Sequence, residues 1–361
     1  MAGRWLTRRR VMVAGGGLLG AALLVLIAIR LPAVQDVMMR RGMEGRFGRD
    51  IGDVLGDDVV TVLVCGSGSP LPGPDRAQAC VAVFAGGHAY VFDVGAGAAA
   101  NFARWLAPAD RVEHVFLTHF HSDHFGGLAD LSLNGWVAGR PGPLAVHGPP
   151  GVERVVAGLE EAYALDREYR TQHHGAELLP PEAGRLSASP FEPAAEAQIV
   201  FEEGEITIRA FLVEHDPVVP AVGYRLDYRG RSVVISGDTV RSANLVAAAR
   251  DADLLLHEAL APHVVKTIEE VTRTADQPRL AKVMLDIPDY HASPVDAAHV
   301  ANEANVRRLV LYHLVPGPSS GIAQDAFLRD VSRVRGDVTL AHDGAVYALP
   351  VGTDAIHERS L

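Results

Sequence analysis

The hexapeptide His119-Phe120-His121-Ser122-Asp123-His124 decides the fold and the chemistry of this 361-residue chain. It follows an apolar run at residues 114–117 that predicts a short buried strand. In an extended segment, residues two apart point the same way, so His119 and His121 can bind one ion. The chain then bends, and Asp123 and His124 can turn to a second ion. Imidazole and carboxylate are ligands that zinc accepts.

Outward from this hexapeptide, strand-like runs alternate with helical spacing in both halves of the chain. This alternation predicts two sheets packed face to face with helices outside, an α/β (α+β) fold of the αββα four-layer sandwich type. One catalytic domain is expected over residues 58–352, followed by a short tail at 353–361. The predicted strands lie at residues 59–65, 79–85, 89–94, 114–117, 144–147, 206–214, 222–228, 232–236, 254–257, 309–313, 338–341 and 345–349. Helices are predicted at 98–106 and 151–170, and a loop at 177–197.

The hexapeptide has the form HxHxDH, and over residues 59–349 the sequence resembles the metallo-β-lactamase superfamily. Within it, the sequence is similar to the ribonuclease Z and arylsulfatase-like branch. The further motifs that carry this resemblance are Cys65-Gly66-Ser67-Gly68-Ser69-Pro70, Phe92-Asp93-Val94-Gly95, His147-Gly148-Pro149-Pro150-Gly151, Val213-Glu214-His215, Gly223-Tyr224-Arg225, Ser236-Gly237-Asp238-Thr239, Leu256-His257-Glu258-Ala259, His291-Ala292-Ser293-Pro294 and Leu311-Tyr312-His313.

The resemblance implies a dinuclear site with two Zn²⁺ ions per chain. One metal would be held by His119, His121 and His215, and the other by Asp123, His124 and His313, with Asp238 bridging them. The last three of these ligands to arrive along the chain, His215, Asp238 and His313, each follow a predicted strand. Manganese and iron accept the same ligand types and stay open as alternatives.

The implied activity is ester hydrolysis, in which a hydroxide shared by two metals attacks phosphorus, sulfur or a carbonyl carbon. Asp123 and His291 are the predicted catalytic residues. His291 is the candidate proton donor to the leaving group, because it lies just ahead of Ser293-Pro294, a typical start of a helix. His257 and Glu258 are expected to orient ligands or His291.

The distribution of charge along the chain bears on which partners it can bind. Residues 1–50 carry nine arginines and three acids, whereas the remaining residues carry 24 basic and 41 acidic side chains. An acidic body repels phosphate backbones, and the stretch at 177–197 is also acidic, so nucleic acid is not an expected partner. The expected partner is a small anionic or ester substrate.

The segment at 260–290 could form a lid or substrate wall, or only a packed surface helix. The adjacent His173 and His174 are expected to be exposed.

The N-terminal segment predicts a membrane anchor. Residues 11–29 carry no charge, and Arg8, Arg9 and Arg10 precede them in a pattern that resembles a twin-arginine export signal. An uncleaved anchor is expected over residues 1–30, with a linker at 31–57 and the catalytic domain on the periplasmic side. Gly16 and Gly20 form a GxxxG pattern, which would suit a homodimer.

Three functions stay open. The first is a dinuclear zinc hydrolase of a phosphodiester, aryl sulfate or similar ester. The second is a ribonuclease Z-like endoribonuclease that processes tRNA 3′ ends, and the third is a non-catalytic membrane metal-binding protein.

The two cysteines, Cys65 and Cys80, form no CxxC motif and are either buried thiols or a disulfide.

Overall fold

A computed structural model describes residues 23–47, 54–71 and 76–361 of the chain. The chain divides into two compact units, residues 1–50 and residues 51–361. In the first unit, residues 23–28 are helical, and a second helix, α1, covers Pro32–Phe47. A helix therefore occupies most of the segment for which a linker was predicted.

The predicted membrane anchor requires correction. None of the helices that the structure describes is both long enough and apolar enough to cross a bilayer. Helical structure stops in a turn at residues 29–31, and α1 beyond it carries charged side chains. The single-pass, extracytoplasmic location predicted for the chain is therefore wrong. Residues 1–22, which include Gly16 and Gly20, lie outside the described residues.

The second unit contains two sheets. In the first, the strand order is β15-β14-β1-β2-β3-β4-β5-β6, and in the second it is β13-β12-β11-β10-β9-β8-β7. The first sheet consists of β1 (Val59–Gly66), β2 (Cys80–Ala85), β3 (His88–Phe92), β4 (Val112–Phe116), β5 (Leu144–Gly148), β6 (Leu186–Pro190), β14 (Ala345–Pro350) and β15 (His357–Ser360). The second consists of β7 (Gln198–Glu203), β8 (Ile206–Val213), β9 (Ala221–Tyr228), β10 (Arg231–Ile235), β11 (Leu254–Leu260), β12 (Arg308–Val315) and β13 (Val338–Leu340).

Helices connect the strands of the second unit, and several of them cover the outer faces of the sheets. They are α2 (Ala98–Trp105), α3 (Ser122–Phe125), α4 (Leu128–Ala138), α5 (Val152–Ala162), α6 (Ala164–His174), α7 (Ala243–Ala248), α8 (Pro262–Thr274), α9 (Pro278–Asp286), α10 (Pro294–Glu303) and α11 (Gly321–Phe327).

Three apolar clusters give the four layers. The central cluster joins inward side chains of both sheets, such as Val83 and Phe92 with Tyr224 and Ile235. A second cluster packs α2, α4 and α5 against the outside of the first sheet, and a third packs α7 and α10 against the second. The predicted sandwich of two sheets between helices is therefore confirmed.

Each sheet changes from antiparallel to parallel pairing along its width. The strands β3, β4, β5 and β6 pair in parallel in the first sheet, and β10, β11, β12 and β13 do so in the second. The carboxyl ends of parallel strands meet at one edge of a sheet, which is where open α/β sheets place their binding sites. The candidate ligands lie at these strand ends.

Several elements differ from the sequence expectations, among them β7 and α4, which were not predicted. The stretch at 177–197 contains β6, which pairs in parallel with β5 at the edge of the first sheet. The helical region at 151–170 is two helices, α5 and α6, that meet at Tyr163. The C-terminal tail contains β15, which adds an antiparallel edge strand to β14. Short or polar edge strands lack the apolar alternation that marks a buried strand, so the sequence pattern did not indicate them.

The two cysteines form a disulfide between Cys65 of β1 and Cys80 of β2. Both residues are fully buried, and 15 positions separate them in the chain. The bond crosses an antiparallel strand pair at the point where β1 enters the glycine-rich loop. It therefore holds together the two strands that carry this loop.

We expect the double variant Cys65→Ala/Cys80→Ala to lose about 3 kcal/mol of unfolding free energy, as a closed loop of this length predicts. Urea denaturation followed by circular dichroism measures the loss. Wild-type protein unfolded with a thiol reductant should show the same loss, and the double variant should not respond to the reductant. A double variant within roughly 0.5 kcal/mol of wild type would contradict the expectation.

Candidate metal centre

The hexapeptide forms the turn that leaves β4. Thr118 and His119 are fully buried, His121 caps the single-turn helix α3 in extended conformation, and Asp123 and His124 lie buried within α3. The Nε2 atom of His119 and the Nδ1 atom of His121 are 3.0 Å apart. The extended pair and the following turn therefore place two adjacent ligand sets, as the spacing suggested.

The other three candidate ligands reach the hexapeptide from the second sheet. His215 follows β8 and Asp238 follows β10, and the Asp238 Oδ2 atom lies 3.9 Å from Nε2 of both His215 and His119. The same oxygen lies 3.3 Å from His124 Nε2. Among the described residues, Asp238 is therefore the carboxylate that these contacts place within reach of both halves of the site.

The side chains sort into overlapping groups whose ligand atoms all lie within 4.8 Å of one another. The first group contains His119, His121, His215 and Asp238, and the second contains Asp123, His124 and His313. A third contains Asp238, His291 and His313. The structure thus brings together all seven residues singled out as metal ligands and the candidate proton donor His291.

His313 reaches the site because β12 has a bulge there. In the pairing of β11 with β12, Glu258 is opposite Tyr312 and Ala259 is opposite Leu314, so His313 is the extra residue. Its backbone is in the left-handed region, with φ of 43°. A bulge re-aims the side chain of the extra residue, and a left-handed conformation is unfavourable for residues other than glycine. The fold thus accepts a strained backbone to turn this imidazole into the site.

The buried atoms that point into the site lack hydrogen-bond partners. Among them are His124 Nε2, His215 Nε2, His313 Nδ1 and Asp238 Oδ1. Leaving one buried polar atom unpaired costs about 1–3 kcal/mol, so four in one place need a common explanation. Three nitrogens and one oxygen of types that bind zinc give that explanation, and the residues fit a metal pair.

The far sides of the same rings are held by the fold. The Nδ1 atom of His124 lies 2.8 Å from Asp93 Oδ2, and His215 Nδ1 lies 2.9 Å from the carbonyl oxygen of Tyr290. Thr118 Oγ1 donates to Asp93 Oδ2 at 2.8 Å and lies 3.1 Å from His119 Nδ1. Such contacts fix ring orientation and leave the opposite nitrogen for the metal.

Electrostatics within the site favour a bound cation. Burial opposes charge on His124, yet Asp238 and Asp93 raise its pKa well above the ordinary value. Burial would likewise raise the pKa of Asp238, but His313 and His124 lower it well below the ordinary value. Burial lowers the pKa of His119 and of His215. The carboxylates that favour charge on His124 would equally favour a divalent ion beside them.

His291 lies at the edge of the centre and is held by Glu258. The Oε1 atom of Glu258 lies 3.1 Å from His291 Nδ1 and accepts from the Ala292 amide at 2.9 Å. Burial opposes protonation of His291, but Glu258 raises its pKa to about 9. His291 precedes Ser293, which caps α10 in a capping box with Asp296. The imidazole therefore has a fixed position and a proton to donate.

A cleft of about 290 Å³ opens in front of these residues. Its polar side includes His121, Asp123, Asp238, His291 and His313. Its other side is apolar, and its side chains are Leu71, Val283, Met284, Ile287, Tyr290 and Val315. The segment at 260–290 folds as the hairpin of α8 and α9, and residues of α9 form much of this wall.

Several residues near the centre were not found from the sequence, or were placed differently. Thr118 was missed, although a hydroxyl directly before the first histidine of the motif is a signal for such a contact. Tyr290 was also missed, because its carbonyl group, rather than its side chain, holds His215. His257 belongs to none of the ligand groups, and its Nδ1 atom lies 2.7 Å from the Glu258 carbonyl oxygen. His173 and His174 are exposed on α6 and far along the chain from every ligand group.

Comparisons with known proteins show the family of the chain and a shared fold. The family model of the metallo-beta-lactamase superfamily matches residues 73–296. Ribonuclease Z of Mycobacterium bovis (strain BCG / Pasteur 1173P2) is 35% identical over 268 residues, which cover 73% of this chain and 89% of that protein. Ribonuclease Z of Mycobacterium avium (strain 104) is 37% identical over 266 residues, with the same two coverages of 73% and 89%.

Among solved structures, human tRNase Z, short form, matches with a TM-score of 0.58 and 21% identity, over 81% of this chain and 100% of that chain. The metallo-beta-lactamase fold protein YhfI from Bacillus subtilis matches with a TM-score of 0.58 and 20% identity, over the same shares of 81% and 100%. At this identity the structures show a shared fold.

The chain belongs to the metallo-beta-lactamase superfamily. It is a metal-dependent hydrolase of ester bonds with ribonuclease Z enzymes among its relatives. The resemblance seen in the sequence is therefore confirmed.

The expectation that nucleic acid is not a partner is wrong, because the curated relatives are named as ribonucleases. That expectation depended on the net charge of the whole body, which does not describe the local potential of a metal site. It also depended on the stretch at 177–197, which the structure shows to end in an edge strand of the sheet. Arg185 of this stretch pairs with Glu182 and with Glu160 of α5.

We expect Asp238→Ala to lose at least half of the bound metal, because this carboxylate contacts both ligand groups. Plasma mass spectrometry of protein purified without chelator measures zinc per chain. Asp166→Ala is the matched control, since Asp166 pairs with Arg170 on α6 and belongs to no ligand group. Equal zinc content in the two variants would contradict the assignment of Asp238.

Proposed function

We propose that this protein is a ribonuclease Z-like endoribonuclease that cleaves a phosphodiester bond at the 3′ end of precursor tRNA. The observation that carries the proposal is the Glu258–His291 pair at the metal cleft, in a chain that matches 89% of the length of a ribonuclease Z. A metal-dependent hydrolase needs a place for the scissile group at the metal ligands and a proton donor beside it. Here the candidate ligands and His291 line the same cleft.

The proposed roles follow from position. His119, His121, His215, Asp123, His124, His313 and Asp238 would hold two zinc ions. These ions would lower the pKa of bound water and neutralise charge on the phosphate, and manganese or iron could do the same. Asp123 lies 3.1 Å from His313 Nε2, which keeps its carboxylate ionised and directed into the cleft. His291 would give its proton to the departing oxygen, with Glu258 fixing the ring.

The charge near the cleft is compatible with RNA. Both lysines of the chain, Lys266 and Lys282, lie on the hairpin of α8 and α9, and α9 contributes Val283 and Met284 to the apolar wall. Arg273 and Arg279 lie on the same hairpin. Phosphates contact lysine and arginine side chains without sequence specificity, and these contacts set orientation on the RNA. Arg273 pairs with Glu269 and Lys282 with Asp286, so the hairpin carries charges of both signs, and Lys266 and Arg279 are its remaining cations.

The test is a side-by-side assay of the zinc-loaded full chain. The substrates are a precursor tRNA with a 3′ trailer, bis(p-nitrophenyl) phosphate and p-nitrophenyl sulfate. We expect cleavage of the precursor between the acceptor stem and the trailer, at a kcat/KM well above that for either small ester. The proposal fails if the same metallated preparation hydrolyses a small ester and leaves the precursor intact.

We expect His291→Ala to reduce kcat on the precursor by about 10²–10⁴-fold, as loss of a general acid predicts, with a smaller change in KM. Single-turnover cleavage at saturating enzyme measures the chemical step. His299→Ala on α10 is the matched control and should retain wild-type rates. If His291→Ala instead raises KM at constant kcat, His291 binds substrate and is not the proton donor.

A further inference from the structure

The cleft has two chemically different sides. The polar side carries the ligand groups and His291, and the described residues that line the cleft include no lysine and no arginine. A second phosphate would therefore find no lysine or arginine partner among the described residues of the cleft. The remaining space faces apolar side chains, which suit a flat or apolar group attached to the one phosphate at the metals.

The apolar wall is fixed to the body. Met284 and Ile287 are buried and pack with Leu260, Val265 and Val315, which belong to β11, α8 and β12. Their backbone therefore cannot move freely relative to the sheet that carries Glu258 and His313. Val283 lines the cleft as well, and it is 48% exposed. The exposed part of this side chain is accessible to a group that enters the cleft.

Tyr290 joins this wall to the metal centre. Its ring centroid lies 4.8 Å from the ring of His215 and 4.8 Å from the ring of His291. Its carbonyl oxygen accepts from His215 Nδ1, so the backbone at this position is set by a metal-ligand contact. The ring is half-buried and lines the cleft beside the proton donor. Among the described residues that line the cleft, no other is a tyrosine, phenylalanine or tryptophan.

We infer that Tyr290, with Val283 and Ile287, forms a platform that receives the nucleobase of the nucleoside carrying the leaving oxygen, and so favours substrates that carry a base at that position. This inference rests on the proposed RNA cleavage. A nucleobase offers the flat apolar face that an aromatic side chain binds, and it is linked to the scissile phosphate through one sugar. Because Tyr290 precedes His291 in the chain, the platform lies on the side where the proton is delivered.

The cleft also limits how that nucleotide can enter. A volume of about 290 Å³ is at the lower end for small-molecule sites and holds one base rather than a stacked pair. The base must therefore leave its stack and lie singly against the wall, as in other proteins that read single-stranded RNA. We expect removal of this base to weaken cleavage. The identity of the base should matter less than its presence, since every base has a flat face.

The experiment uses two precursor tRNAs that differ at the nucleotide left with the free hydroxyl, one with a base there and one abasic. For wild-type protein, kcat/KM for the base-bearing RNA should exceed that for the abasic RNA by roughly 10- to 100-fold. For Tyr290→Ala the ratio should fall to near 1, and Tyr290→Phe, which keeps the ring, should restore it. Tyr163→Ala, which changes an exposed tyrosine outside the cleft, should keep the wild-type ratio.

The outcomes separate this inference from the proposed function. If wild-type protein cleaves neither RNA while it hydrolyses a small ester, RNA cleavage and the platform both fail. If wild-type protein cleaves both RNAs equally, or if Tyr290→Ala keeps the wild-type ratio, only the platform is wrong. Zinc content of each variant shows whether the contact of the Tyr290 backbone with His215 has been preserved, and a ratio change with zinc retained supports the platform.

Discussion

The burial of Asp238 constrains the rest of this structure. Its carboxylate is 2% exposed, it has an oxygen without a hydrogen bond, and it lies among four imidazoles. A buried charge is costly unless opposite charge and ligands compensate it. Two divalent cations would satisfy this carboxylate and the orphaned nitrogens together. The metal pair thus explains why a fold would hold so many ionisable groups in its interior.

The sandwich provides the rigidity that this arrangement needs. The hexapeptide leaves the first sheet, and His215, Asp238 and His313 come from three strands of the second. The central apolar cluster fixes the two sheets against each other, so ligands from both keep their separations. Gly95 shows how tight this assembly is, because a Cβ there would lie 2.1 Å from the Asp123 carbonyl oxygen. The loop that carries Asp123 can approach the first sheet only at a glycine.

Much of the fold and the site could be predicted because their signals are local. The strand before His119, the spacing of the hexapeptide and the cap at Ser293 are properties of short segments. What failed depended on context. The strand at Leu186–Pro190 is an edge strand, the bulge at His313 depends on pairing with β11, and the platform at Tyr290 depends on packing of α9. The prediction that nucleic acid is not a partner failed because net charge is an average over the whole surface, whereas a substrate contacts only the residues around one cleft.

Anomalous diffraction at the zinc absorption edge, on crystals of the zinc-loaded chain, tests the central claim most directly. The account predicts two peaks about 3.5–4 Å apart, as in other dinuclear hydrolases. One should lie against His119, His121 and His215, the other against Asp123, His124 and His313, and Asp238 should contact both. A single peak at full occupancy, or zinc bound elsewhere with Asp238 unligated, would contradict it.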